Sequence, residues 1–434
     1  MNFPQPSRRK VMLSGAALVA SAALVLTGCG RGDNASTGAK SVKISDGPAK
    51  GVVEVWAQGG DGAKLPEMFD RFKKENPDVE MRITEVPGDQ FAAKMTAAIT
   101  AGKVPDLIYS WSNIYSELIA TGGFDAVPDG LADRKDYVEA VWDASVVDNV
   151  AYAVPWYTWA GFMLYRSDLT TAAGAKAPTN WDEMREFAKK LKSSGVKDPL
   201  ALRVDWDSNT AFQVSQFAQQ NGGSFLSKDG KSWTINTPEN VEALKYWAGL
   251  IADGYASPDG PTVLDVVPWM SNGTTAAMWN GGPWYSGWFD DANGAGWSDK
   301  HIGYALNPAG PSGHSIATVA GGGWMVPSNA GNKDAAWKFA KFMSAPEQQV
   351  YWYKIFKNLP AVKAAWEDPA LQSPMLEVIR EALKDGVAPP SVPTWQQVGN
   401  AIGQQIEQVV RGGKSAQQAL DEAQKQAEQI GMGK

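Results

Sequence analysis

The chain has 434 residues, 40 lysines and arginines against 47 aspartates and glutamates, a formal charge of −7, one cysteine, two histidines and nineteen tryptophans. The acidic balance, with no basic patch beyond residue 51, argues against nucleic acid as a partner. A single cysteine excludes an intrachain disulfide, and His301 and His314 alone make no zinc ligand set, so neither a metal nor a cofactor is expected.

In chain order, Arg8, Arg9 and Lys10 precede an apolar run, Val11 to Leu26, that is short for a membrane span and ends in small residues. That is the layout of an export signal, expected over residues 1–28. Ser7 to Met12, SRRKVM, is similar to a twin-arginine signal, although Val11 and Met12 depart from its usual pair, so both export routes stay open. Leu26 to Cys29, LTGC, resembles a bacterial lipobox. That implies cleavage before Cys29 and lipid on its thiol, holding the protein at the extracytoplasmic face of the cell membrane without a spanning helix. Residues 29–50 are poor in apolar side chains and read as a flexible tether.

From residue 51 the chain is long enough for two lobes with real cores. GVVEVWAQ reads as a strand, AKLPEMFDRFKKENP as a helix with Leu65, Met68, Phe69 and Phe72 on one face, and EMRITEV as a second strand. Residues 52–86 are therefore predicted to form a βαβ unit with parallel strands. QFAAKMTAAITAGKVPDLIYSW repeats the plan, with Phe91, Lys94, Met95 and Ala98 at helical spacing before the strand DLIYS. Asn180 with Glu183 three places on reads as a capping box, and Asp182 and Glu183 read as first-turn acids of that helix rather than a catalytic carboxylate pair. Helices are also predicted over NVEALKYWAGLIADG, NKDAAWKFAKFMSAPEQQVYWYKIF, 396–411 and 415–430, and short strands at YAVPW, GFMLY, TAAMW and GGWMVP. The fold class is α/β.

KVPDLIYSW, AVPWYTWAGFMLYRSDL, APTNWDEMREFAKKL, TTAAMWNGGPW and AGGGWMVPSNAGNKDAAWKFAKFMSAPEQQ, in this order behind a lipobox, resemble the extracellular solute-binding proteins of ABC importers, specifically the sugar-binding group that includes maltose-binding protein. The resemblance implies a two-lobed periplasmic-binding-protein-like fold with three inter-lobe crossings, near Tyr157–Ala160, Ala276–Asn280 and Thr318–Gly323, and a hinged ligand cleft. Lobe one would combine 51–157 with 280–320, and lobe two 160–277 with 323–430. It further implies a monomer that closes on a carbohydrate and delivers it to a permease with a separate ATPase. The chain itself has no Gly-rich loop ending in Gly-Lys-Ser/Thr.

A pyranose offers an apolar C–H face and a rim of hydroxyls, matched by an aromatic ring below and carboxylates or amides around it. Trp284, at the end of the aromatic-rich Gly-Gly-Pro turn, is the first candidate, and Trp279 adjoins it. Trp111 ends a strand, and Gln58 and Asp61 flank the Gly59-Gly60 turn at the carboxyl end of another, where open α/β sheets place ligands. Trp156, Tyr157 and Trp159 bracket the expected hinge. Asp205, Trp206 and Asp207 form an acid-aromatic-acid cluster, Trp324 follows three glycines, and Trp395 resembles a position near the cleft mouth. Several rings favour an oligosaccharide. No local motif nominates a catalytic pair, so the chain is read as a binding protein and not an enzyme. The alternative keeps the fold and changes the solute to a phosphorylated polyol or a peptide.

Overall fold

The computed structural model describes residues 44–261 and 265–433, with the side chain of Asp61 left aside. Cys29, the export signal and most of the tether lie outside them. Thirteen strands are formed among the described residues: β1 (Gly51–Gln58), β2 (Val79–Val86), β3 (Leu107–Trp111), β4 (Val146–Val147), β5 (Val150–Ala151), β6 (Val154–Ala160), β7 (Phe162–Arg166), β8 (Leu200–Ala201), β9 (Ala277–Gly281), β10 (Ile302–Ala305), β11 (Ala317–Met325), β12 (Leu359–Pro360) and β13 (Gly386–Val387). The larger sheet runs β12-β6-β11-β3-β1-β2 with β13 beside β11, and the smaller runs β10-β7-β9-β8.

β1 and β2 pair in parallel from Gly51 opposite Val79 to Gln58 opposite Val86. The helix Leu65–Lys73 between them buries Leu65, Met68, Phe69 and Phe72, the four positions its spacing singles out. β3 joins β1 in parallel. β11 then lies antiparallel to both β3 and β6, with a register shift between Gly322 and Gly323. Only Gly161 separates β6 in the larger sheet from β7 in the smaller.

The apolar clusters divide the chain differently from the expected lobes. Phe339 meets Phe69 and Phe72 at 5.3 and 5.2 Å, and Trp352 lies 4.4 Å from Trp156. The helices Lys333–Met343 and Pro346–Phe356 therefore cover the larger sheet and do not join the second lobe. β10, expected in lobe one, pairs with β7 in the smaller sheet. β9 lies wholly within the smaller sheet, between β7 and β8, so 276–280 is not a passage between sheets. The helices Trp395–Val410 and Ala416–Ile430 pack with the helices Ser208–Gln220 and Pro238–Ala252 in a second cluster containing Phe217, Trp247 and Ile402. An apolar helix face states that a helix is covered and leaves open which sheet covers it.

The cap of the helix Trp181–Ser193 uses Asn180 Oδ1, which accepts from Glu183 N at 2.9 Å. Glu183 Oε2 accepts from the main chain and hydroxyl of Thr179, both at 2.8 Å, which holds its carboxyl below the usual range. Both acids of that first turn serve the helix end.

Candidate functional site

A cavity of about 400 Å³ opens where the two sheets face each other. Trp111, Tyr157, Trp159, Thr318, Ala320 and Gly321 line it from the larger sheet, and Met278, Trp279 and Asn280 from the smaller. Phe212, Gln213 and Gln216 reach it from the helix Ser208–Gln220, and Trp284 and Tyr285 from the turn after β9. Surface depressions of about 790 and 890 Å³ lie elsewhere, but neither is lined by a tryptophan. The concentration of aromatic faces singles out the smaller cavity.

Trp111 is held from below. The main chain of Gly59 has φ +69°, and a Cβ there would sit 2.6 Å from the indole; one at Gly88 would sit 2.8 Å from it. Gly59 and Gly88 thus make room for this ring, whereas a Cβ at Gly60 would meet nothing within 4 Å. Trp159 and Trp284 meet edge to face, with centroids 5.0 Å apart and planes at 78°, which joins a strand of the larger sheet to the Gly-Gly-Pro turn. Trp279 stacks on Phe217 at 4.4 Å. These rings are thus held in place by packing against one another, against glycine backbone and against Phe217.

A polar knot closes the base of the cleft. Asn280 has φ +54°, and its Oδ1 accepts from Asn307 Nδ2 at 2.8 Å and from the Thr318 main chain at 3.1 Å. Gln216 Nε2 donates to Thr318 Oγ1 at 2.7 Å, and the Gly161 N–H donates to the Thr318 carbonyl at 2.8 Å. The knot ties both sheets and the helix together at the β6–β7 junction.

Other sequence candidates lie elsewhere. Gln58 is buried, its Nε2 donating to the Gly88 carbonyl at 3.1 Å while its Oε1 accepts from Ser110 Oγ and Trp111 N at 3.0 and 2.9 Å, so it positions Trp111 and does not line the cleft. Trp156 and Trp324 are 1% and 0% exposed, 4.8 Å apart in the core of the larger sheet. β-strand alternation turns them away from the faces that carry Tyr157 and Gly321. Trp206, at φ +57°, lies edge-on to Trp247 and beneath Arg411, and Asp207 caps the helix Ser208–Gln220 by accepting from Asn209 N at 2.8 Å. Asp205 is taken up by Arg203 Nε at 2.7 Å. Trp395 is the helix-start anchor beside Trp233. Asp61 has no described side chain.

Sequence reasoning missed Arg203, Phe212, Gln213, Gln216 and Asn280. Four of these sit on or beside the helix Ser208–Gln220, which is not among the predicted helices. The available signal was spacing: Gln213, Gln216 and Gln220 recur at i, i+3 and i+7 on one helix face, and in the structure each is at most 2% exposed. Burial pushes the Tyr285 phenol pKa up, and Arg203 opposes it, so this cleft group stays neutral.

Residues 56–350 match the family model described as bacterial extracellular solute-binding protein. The galactooligosaccharide-binding protein of Bacillus subtilis (strain 168) is 23% identical, covering 94% of each chain. Among solved structures, a sugar-binding protein from the phytopathogen Xanthomonas citri superposes with TM-score 0.79 at 24% identity, over 88% of this chain and 97% of that one. The cyclic alpha-maltosyl-1,6-maltose binding protein from Arthrobacter globiformis gives TM-score 0.78 at 24% identity, over 88% and 99%.

Proposed function

Because the chain belongs to the bacterial extracellular solute-binding protein family, we propose that it captures an oligosaccharide outside the cytoplasm and delivers it to an ABC permease driven by a separate ATPase. The observation that carries this reading is the aromatic cleft between the sheets: Trp111, Trp159 and Trp284 around a cavity of about 400 Å³ whose remaining walls carry amides. Flat rings take the C–H faces of successive sugar units, and amides donate to and accept from hydroxyls. The names of the similar proteins, which bind galactooligosaccharide and cyclic maltosyl-maltose, support the same class of solute. A phosphorylated solute would call for clustered arginines, and Arg203 is the one cationic side chain lining the cleft among the described residues.

Three passages of the chain make the hinge in this reading: Ala160–Phe162, the approach to Thr318, and the segment after β13, where Pro389 lines the cleft. Closure turns about the Asn280 knot and buries the ligand between the sheets. The monomer is held at the membrane through lipid on Cys29. Among the described residues no carboxylate lines the cleft, and the role in this reading is binding.

The test is intrinsic tryptophan fluorescence of residues 51–434 titrated with maltotetraose, galactotriose, cellotetraose, glycerol phosphate and a tripeptide. A saturable shift with one sugar class is expected. Response to the phosphate or the peptide alone would overturn the choice of solute.

A further inference from the structure

Gln213 is 2% exposed on the helix Ser208–Gln220, and it lines the cleft. Its Oε1 accepts from the Arg203 main chain at 2.8 Å and from Trp247 Nε1 at 3.0 Å. A backbone N–H and an indole N–H can only donate, so the amide cannot turn over: its oxygen is held by Arg203 N and Trp247 Nε1 and its nitrogen stays on the other side of the amide. Gln213 Nε2 is buried without a protein acceptor. Trp279 Nε1 and Trp284 Nε1, on the same cleft, are in the same condition. The Arg203 guanidinium, engaged with Asp205 through Nε, adds further donors on that wall. Unpaired indoles also occur in the core of the larger sheet, at Trp156 and Trp324, where ring packs on ring. Gln213 differs because its other end is locked and the cavity lies beside it.

We propose that Gln213 is the specificity-determining donor of the cleft: its Nε2 binds an acceptor oxygen of one sugar unit, with Arg203 and the two indole N–H groups completing a subsite that reads acceptors. This rests on the oligosaccharide reading and goes further by naming the group that rejects the wrong sugar. A donor left unpaired in a closed, water-poor cleft weakens binding about 10- to 100-fold, so a sugar with no oxygen at that point is rejected.

The test compares wild type with Gln213→Glu, using maltotetraose and galactotriose and following tryptophan fluorescence from pH 8 to pH 5.5. The substitution is isosteric, keeps the oxygen that serves Arg203 N and Trp247 Nε1, and replaces the donor with an acceptor oxygen that is charged until the carboxyl is protonated. The charged side chains of the adjoining loop are Arg203, Asp205 and the helix cap Asp207, neither histidine lines the cleft, and wild-type affinity stays flat over this range. At pH 8 the variant binds roughly 10- to 100-fold more weakly, and affinity recovers about fivefold or more toward pH 5.5 as the buried carboxyl gains a proton and becomes a donor again. A defect that is independent of pH, or unchanged affinity at pH 8, overturns the assignment while the sugar reading stands. If neither sugar shifts the wild-type fluorescence, the oligosaccharide reading falls and takes this assignment with it. Thermal unfolding of the variant, with and without sugar, separates loss of the donor from loss of the fold.

Discussion

Gly161→Ala is the sharpest probe of the junction on which closure depends. A Cβ at Gly161 would lie 2.4 Å from Asn280 Oδ1, well inside the 3.0 Å that real Cβ atoms essentially never breach. Asn280 must therefore move, and the oxygen it moves accepts two hydrogen bonds, from Asn307 Nδ2 and from Thr318 N. At about 0.5–1.5 kcal/mol each, with strain in a side chain already held at left-handed φ, the loss is about 2–4 kcal/mol. Urea unfolding followed by tryptophan emission measures it. The decisive control is the double variant: Asn280→Ala removes the obstructing oxygen, so adding Gly161→Ala to it costs less than about 1 kcal/mol. Strictly additive losses in the two single variants, or a Gly161→Ala variant within about 0.5 kcal/mol of wild type, would refute the knot as described.

Trp284→Ala removes a cleft ring and weakens binding of the responding sugar about tenfold, from about 1–2 kcal/mol of lost contact, read by isothermal titration calorimetry. Trp324→Ala behaves in the opposite way, costing about 3–5 kcal/mol of stability in urea with sugar affinity within about twofold of wild type under folding conditions. Burial pushes the Asp168 carboxyl upward, but Arg166, bonded to it at 2.8 and 2.7 Å, outweighs this and holds its pKa at about 2. A lowered carboxylate stabilises above its unfolded value and loses that contribution as pH falls toward the folded one. Asp168→Asn is therefore expected to be less stable than wild type at pH 7 by about 1 kcal/mol, after allowance for solvent screening, and the gap closes between pH 4 and pH 2 in thermal melts.

Much of the local grammar of the chain was legible, although the helix Ser208–Gln220 is not among the predicted elements. Leu65, Met68, Phe69 and Phe72 announce the face their helix buries, Asn180 announces its cap, and the aromatic turn at Gly281-Gly282-Pro283 announces a wall of the cleft. These are short-range matters, set by the 3.6- and 2-residue periods and by which side chains satisfy free amides nearby. Selection among the tryptophans was not local. Trp156 and Trp159 lie three residues apart on one strand, yet one is sealed in the core and the other lines the cleft, because the pleat turns them to opposite faces and the helix Pro346–Phe356 covers the face that carries Trp156. Gln213 shows the same limit more strongly. Its chemistry is written in one letter, but the direction of its amide is set by Arg203 ten residues before it and Trp247 thirty-four after it. Sequence alone determined the elements, their buried faces and the kind of surface a sugar needs; tertiary structure decided which helices cover which sheet and which donors are left unpaired, because both depend on partners brought together only when the sheets close on each other.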